Sequence, residues 1–350
     1  MLSVVKTLAV RLVTLIGVLV VVLLLLVVSL GATGFSDDLL NAQVNQELLV
    51  YRIAQANAIK DPQALQFAVE EKQKELESFY GLDQAWYRRL LPQVGRVLRL
   101  DLGNARSLRT ADGSNKISDI VLERLPYTLM LLLTTSIITA VIGLTIGVRM
   151  ATKVGSRVDR STAYFSAISN AIPGWWLGIL FILVFAFKLQ WLPAGGMYST
   201  PPPTTQPERF FDLAKHAILP IFTLVLVSVG PYIYGVRTLT VSVAQEDHVV
   251  LARAKGLPDK VVTRRHILRV AAPPIVTGLV LGLAGTISGA ILIETVFNWR
   301  GMGRLYYDSI QGTPDEGVVV ALTFLFTLIY VVARFILDIL YVLLDPRVRI

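Results

Sequence analysis

His248-Val-Val-Leu-Ala-Arg-Ala-Lys-Gly256-Leu-Pro-Asp259, followed by Arg264-Arg265-His-Ile-Leu-Arg269 and Pro273-Pro274, is a basic, weakly hydrophobic stretch set between two long apolar runs. Its spacing predicts a short helix, a sharp break and a second short helix at a membrane surface. Gly256 falls where the first helix must stop, because glycine alone enters the left-handed region without a side-chain penalty, and Pro258 blocks any continuation. Small residues at Ala252, Ala254 and Gly256 let another protein approach the backbone, while Arg253, Lys255 and Lys260 supply charge at the rim. The stretch therefore reads as an elbow built to be gripped by a partner.

The apolar runs on either side set the class. Hydrophobic residues make up 54% of the 350, and the runs approach or exceed the roughly 20 residues that cross a bilayer as a helix. The chain is expected to be an all-α polytopic membrane protein with six spans, near 12–32, 124–148, 162–187, 216–236, 274–295 and 318–343. The net charge of +8 lies in short loops between spans and is not interleaved with exposed aromatics, which argues for membrane topology and against nucleic acid as a partner. With no cysteine and only His216, His248 and His266, thiolate and clustered-histidine metal sites have no donors. Although Lys6 and Arg11 precede the first apolar run, that run is longer than a signal-peptide core and is taken as a retained span.

Orientation follows from the positive charges. Arg149, Lys153, Arg157 and Arg160 fill the loop after the second span, and Arg237 to Arg269 fill the loop after the fourth, so both loops and both termini are expected to be cytoplasmic. The segment 33–120 then lies outside. Residues Leu39 to Ala58 and Pro62 to Tyr80 carry apolar positions three or four apart, predicting two amphipathic helices parted near Asp61-Pro62. Trp86 to Gly103 alternates basic and apolar positions at helical spacing, as either an interfacial helix along the headgroups or part of a soluble subdomain. The expected organisation is an N-terminal helix (1–32), an extracytoplasmic helical segment (33–120) and a five-helix core (121–350) containing the cytoplasmic loop 237–273.

Within the spans, Arg334 and Asp338 share one helix face and can pair, which lowers the cost of placing either in lipid. Gly278, Gly282, Gly285 and Gly289 give two Gly-x-x-x-Gly steps suited to close helix packing. Pro173-Gly174 should bend or break the third span and free carbonyls toward a cavity. Phosphate-loop, Gly-x-Ser-x-Gly and His-Glu-x-x-His motifs are absent, so neither nucleotide binding nor hydrolase chemistry has a visible carrier.

The stretch from His248 to Pro274 resembles the signature cytoplasmic loop of ATP-binding-cassette importer permeases, and Leu251-Ala-Arg-Ala-Lys-Gly256-Leu with Arg265-His-Ile-Leu-Arg269 is similar to the dipeptide/oligopeptide branch. Gly81-Leu-Asp-Gln, Asp101-Leu-Gly103, Glu123-Arg-Leu-Pro126, Trp191-Leu-Pro-Ala-Gly-Gly196, Glu294-Thr-Val-Phe297, Gly301-Met-Gly303 and Leu344-Asp-Pro-Arg-Val-Arg349 match that branch in order. Two features depart from the family: Val250-Leu251-Ala252 stands where the general loop has Glu-Ala-Ala, and the segment 33–80 is longer than usual.

The resemblance implies a type I importer permease, half of a pore, paired with a second homologous permease and served by two ATPase subunits and an extracytoplasmic substrate-binding protein. It implies no catalysis and no cofactor on this chain, ATP and magnesium belonging to the ATPases. It also assigns Leu251, Ala252, Arg253, Ala254, Lys255, Gly256 and Leu257 to ATPase coupling, with Ala252 and Gly256 at the close-packed centre. Oligopeptides are the expected cargo, with oligosaccharides or a metal complex as alternatives. An ion-coupled secondary transporter is the reading from another class, and it would need midplane ionisable groups or interrupted helices in two matching halves.

Overall fold

Apolar runs that must satisfy their own backbone in lipid become helices, and here every named element is one. The structure, a computed structural model, describes residues 2–56, 59–151, 154–311 and 315–344. Of the expected features, Lys153 and the terminal motif after Leu344 lie outside the described residues. In chain order the helices are α1 (Leu2–Ala32), α2 (Phe35–Ala56), α3 (Pro62–Tyr80), α4 (Trp86–Leu98), α5 (Ile117–Ala151), α6 (Arg157–Ala171), α7 (Gly174–Phe181), α8 (Gln206–Ala244), α9 (Asp247–Ala254), α10 (Asp259–Val261), α11 (Leu268–Val296), α12 (Met302–Asp308) and α13 (Glu316–Leu344). π-helical turns at Ile182–Lys188 and Val262–Ile267 continue α7 and α10.

Among the described residues, four helical stretches are long and apolar enough to cross a membrane: Lys6–Ala32, α5, α8 and Glu316–Leu340, or five if α6 and α7 form one broken span. The chain is thus an all-α polytopic membrane protein with four to five such spans. α11, at 29 residues, occupies the place expected of another.

The region expected as the third span, near 162–187 with a bend or break at Pro173-Gly174, takes the break. It is two helices meeting at 95°. Pro173 lacks an N–H and pushes Ile172 out of the helical region, to φ −84° and ψ 122°, so the helix ends and restarts instead of bending. The fourth span is longer than its apolar window of 216–236, because Thr205 caps it by accepting from the Glu208 N–H and the helix runs on past Arg237 to Ala244.

Chain contacts divide the protein into two units, residues 1–15, 124–305 and 329–350 forming one, and 16–123 with 306–328 the other. In the first, α8 is the central helix, packed on α6, α7 and α11. Val225, Val229 and Ile233 of α8 meet Ile138, Ile142 and Ile146 of α5, and Leu219 and Leu224 meet Ile293 and Phe297. Arg334 and Asp338 pair at 3.9 Å, as their spacing on one face requires.

In the second unit, α2 and α3 form the expected helical pair, closed by Leu40, Val44, Leu48, Leu76 and Tyr80. Asp61 caps α3 by accepting from the Gln63 N–H at 3.1 Å. The Tyr80 hydroxyl donates to Glu47 at 2.5 Å, and burial together with that carboxylate pushes its pKa up to about 12. α4 is tied to the α1–α2 junction: Arg89 donates to Asp37 at 2.5 Å and Ser36 at 2.7 Å, and Trp86 lies on Gly31. Buried Ser36 in turn donates to Glu316 of α13, while Asp315 accepts the backbone N–H groups of Arg106, Ser107 and Val318.

Candidate functional site

α9 ends in a Schellman motif. The Gly256 N–H donates to the Arg253 carbonyl at 2.9 Å and the Leu257 N–H to the Ala252 carbonyl at 3.4 Å, with Gly256 at φ +73°. Pro258 then starts α10 at once. The return is fixed from inside by Val249, Ala252, Val262 and Ile267, which pack with Val236 and Val243 of α8 and with Ala271 and Ile275 of α11. His248 Nε2 lies 3.0 Å from the His266 carbonyl and ties the two arms.

This packing sorts the seven predicted coupling residues. Leu251, Arg253, Ala254, Lys255, Gly256 and Leu257 are exposed, but Ala252 is 4% exposed and belongs to the protein's own core. A short helix has a single face free, and Val249 and Ala252, three apart, are on the other. The exposed apolar surface is instead Val250 and Leu251, at 55% and 56%, with Arg253 and Lys255 beside them.

The elbow hangs from α8, and α8 is clamped just before it. Arg237 is not a loop residue, as its charge had implied; it lies in α8, and its Nε and Nη2 donate to the two oxygens of Asp159 in α6 at 2.5 and 2.8 Å. Asp159 is 4% exposed, accepts the Gly155 N–H at 2.9 Å, and follows a Ser156 N-cap. Higher up, the Ser169 hydroxyl donates to the carbonyls of Leu226 and Val227 at 2.5 and 3.1 Å. Pro231, lacking an N–H, leaves the Val227 carbonyl without its helical donor, and Ser169 fills the vacancy.

Motifs that were separate in sequence converge around Glu294. Its carboxylate accepts from the Thr128 hydroxyl at 2.6 Å and the Arg304 N–H at 2.9 Å, and Thr128 accepts the Met302 N–H at 2.7 Å. The Trp299 N–H donates to the Glu294 carbonyl at 2.7 Å, and the Gly196 N–H to the Phe297 carbonyl at 2.8 Å. Gly303 rests against the Ile291 backbone, where a Cβ would come within 2.7 Å of Cα. Glu294→Ala should leave two buried donors without an acceptor, at about 1–3 kcal/mol each, and lower the melting temperature of the purified protein more than Thr128→Val does. Equal melting temperatures for wild type and Glu294→Ala would refute this.

α5, α8 and α11 also line a half-open cavity of about 330 Å³, formed by Thr135, Thr139, Pro231, Tyr232, Gly278 and Gly282 among others. Gly278 and Gly282 were expected to pack a neighbouring helix, yet a Cβ on either would meet nothing within 4 Å. The packing at Gly285 and Gly289 lies outside the described residues.

Residues 143–350 match the family model described as the binding-protein-dependent transport system inner membrane component. An oligopeptide transport system permease protein of Bacillus subtilis (strain 168) is 32% identical over 293 residues, covering 83% of this chain and 90% of the relative. A di/tripeptide transport system permease protein of Pseudomonas aeruginosa (strain UCBPP-PA14) is 32% identical over 283 residues, 77% of this chain and 82% of the relative. A glutathione transport system permease protein of Escherichia coli (strain K12) is 30% identical over 294 residues, 84% and 88% respectively. These names give the oligosaccharide alternative no support. The elbow, the Glu294 knot and these matches agree, and the chain belongs to the family of binding-protein-dependent inner-membrane permeases, the non-catalytic membrane subunits of ATP-binding-cassette importers.

Proposed function

We propose that this chain forms half of the translocation pore of an ATP-driven, binding-protein-dependent importer of oligopeptides, paired with a second homologous permease on two ATPase subunits. The peptide cargo is supported by the names of the relatives. In this reading α11 and the joined α6–α7 complete six spans, both termini and the elbow are cytoplasmic, and 33–120 is extracytoplasmic. The observation that carries ATPase coupling is the elbow's outward face: Val250 and Leu251 would enter a groove on the ATPase, with Arg253, Lys255 and Leu257 around them. Because the elbow's inner face is packed on α8 and α11, an ATPase that grips it differently in two nucleotide states biases the spans between two arrangements.

Affinity purification of the tagged chain, co-expressed with the products of neighbouring coding sequences, should recover a second permease and phosphate-loop subunits. Uptake should require ATP and the binding protein. ATP-independent uptake driven by an ion gradient would instead establish the secondary-transporter reading. The chain has no cysteine, so Gln73→Cys carries a unique thiol, and a membrane-impermeant maleimide should label it from outside. Labelling from the cytoplasmic side alone would reverse the topology.

A further inference from the structure

α4 has three sides. At 3.6 residues per turn, Trp86, Val94 and Val97 fall on the first, which is turned inward, with both valines buried. Tyr87, Leu91 and Leu98 fall on the second, and all three are exposed. Arg88, Arg96 and Arg99 fall on the third, also exposed, and none of them makes an ion pair among the described residues. Arg89, nearer the inner side, is by contrast held by Asp37.

Such a helix suits neither bulk water, which would wet the second side, nor the bilayer core, which would strand the charges of the third; the boundary between them suits both. Its attachments put α4 at that boundary. The Trp86 ring is stacked on Gly31 so closely that a Cβ there would come within 2.2 Å of it, and Gly31 is the last residue but one of the span Lys6–Ala32. Arg89 is bonded just beyond, to Ser36 and Asp37 at the start of α2. The C-terminal end carries an independent sign. Leu100 closes a Schellman motif at φ +62°, its N–H donating to the Val97 carbonyl at 2.9 Å and the Asp101 N–H to the Arg96 carbonyl at 3.1 Å. Glycine takes the matching place after α3 and α9, at Gly81 and Gly256. Of the non-glycine residues at positive φ among the described residues, Leu100, Gln190 and Asn298, only the leucine is apolar, and it is 67% exposed. A leucine held in a strained conformation and left bare is explained by an apolar cover that the chain itself does not supply.

We propose that α4 is a binding site for anionic phospholipid at the membrane face where α1 ends, with Tyr87, Leu91, Leu98 and Leu100 entering the acyl region and Arg88, Arg96 and Arg99 holding headgroup phosphates. Free phosphate would engage the arginines and leave the apolar side bare, whereas a lipid engages both. Continuity with the end of a span favours lipid over a protein as the occupant. The site is the same on whichever side of the membrane that face lies, so it does not depend on the topology proposed above.

The test labels Leu91→Cys with a fluorophore, the chain having no other thiol, and places the full chain in phosphatidylcholine vesicles, alone and assembled with the second permease, the ATPases and the binding protein. Phosphatidylglycerol or phosphatidylcholine bearing an acyl-chain nitroxide is then added as quencher. Both should quench, and the phosphatidylglycerol should associate about five-fold more tightly, because anionic headgroups are drawn to each nearby arginine. Arg88→Gln/Arg96→Gln/Arg99→Gln should bring that ratio near one while phosphatidylcholine still quenches, which shows in the same sample that Leu91 remains in lipid and the helix in place. Arg88→Lys/Arg96→Lys/Arg99→Lys should keep the preference. The proposal is overturned if wild type binds the two lipids equally, or if aqueous iodide quenches the probe and neither lipid does, which would make α4 part of a water-exposed subdomain. Loss of lipid quenching on assembly would also overturn it, by showing the face to be a protein interface, and so would abolition of the preference by inorganic phosphate, by showing the arginines to be a free-anion site.

Discussion

Gly256→Val should abolish most ATP-driven uptake while leaving the spans folded and the ATPases bound. Gly256 holds φ +73°, and a Cβ there would meet nothing within 4 Å, so the penalty is one of backbone conformation and not of collision. A β-branched residue in that region costs about 1–2 kcal/mol, and the chain avoids the cost by unwinding the Schellman turn, which redirects Val250, Leu251 and Leu257. Misplacing that face by one turn should lower coupled uptake by about ten-fold or more, since 1.4 kcal/mol is a factor of ten in an equilibrium. Gly256→Asn, which tolerates the left-handed region, should lose far less. The measurement is uptake per ATP hydrolysed in proteoliposomes; an unchanged ratio in Gly256→Val would refute the elbow's role.

The second large effect is expected at the Asp159–Arg237 pair. Removing one partner leaves the other charge buried and uncompensated, and such single changes cost about 3–5 kcal/mol. The side chains here are only 5% and 20% exposed, so little of that is recovered from solvent. Arg237→Met should therefore lower the melting temperature sharply, and Asp159→Leu likewise, whereas the double variant should regain much of the stability because two apolar groups can pack where two charges sat. If the double variant is no more stable than either single one, the pair is not the origin of the effect. Should the double variant be stable yet poorly coupled, the ion pair serves geometry more than stability, since it fixes α6 to α8 next to the elbow.

Local chemistry was legible in the sequence. Asp61-Pro62 announces the start of α3 because a capping carboxylate and a first-turn proline act within a few residues, and Gly256-Leu-Pro258 announces the elbow for the same reason. Arg334 and Asp338 are visible as a pair because a helix brings residues four apart together. Long-range partners were not legible. Asp159 and Arg237 are 78 residues apart; Arg237 read as a loop charge, Asp159 did not stand out, and nothing local says that one will be buried against the other. The inward turn of Ala252 depends on α8, α10 and α11 meeting behind it, so its size alone suggested the opposite face. The knot around Glu294 was half-visible: several of its pieces stood out by resemblance, but only folding shows that Thr128 and Arg304 close on the Glu294 carboxylate and Gly196 on the nearby Phe297 carbonyl.

The right-angle break between α6 and α7 has a mechanical consequence. α6 is pinned to α8 at two levels, by Ser169 at Leu226–Val227 and by Asp159 at Arg237, about 15 Å apart along the helix. Two pins prevent sliding and hinging, so the pair turns as one plate. The plate then ends in a 95° corner whose second arm, α7 with its π-helical continuation to Lys188, is about 20 Å long and packs on α8 and α11. That arrangement is a bell crank: a rotation of the plate by about 5° swings the far end of the arm sideways by about 2 Å, converting motion along one direction into displacement across it. A straight span in this place would have carried the same input lengthwise, with nothing to turn it against its neighbour.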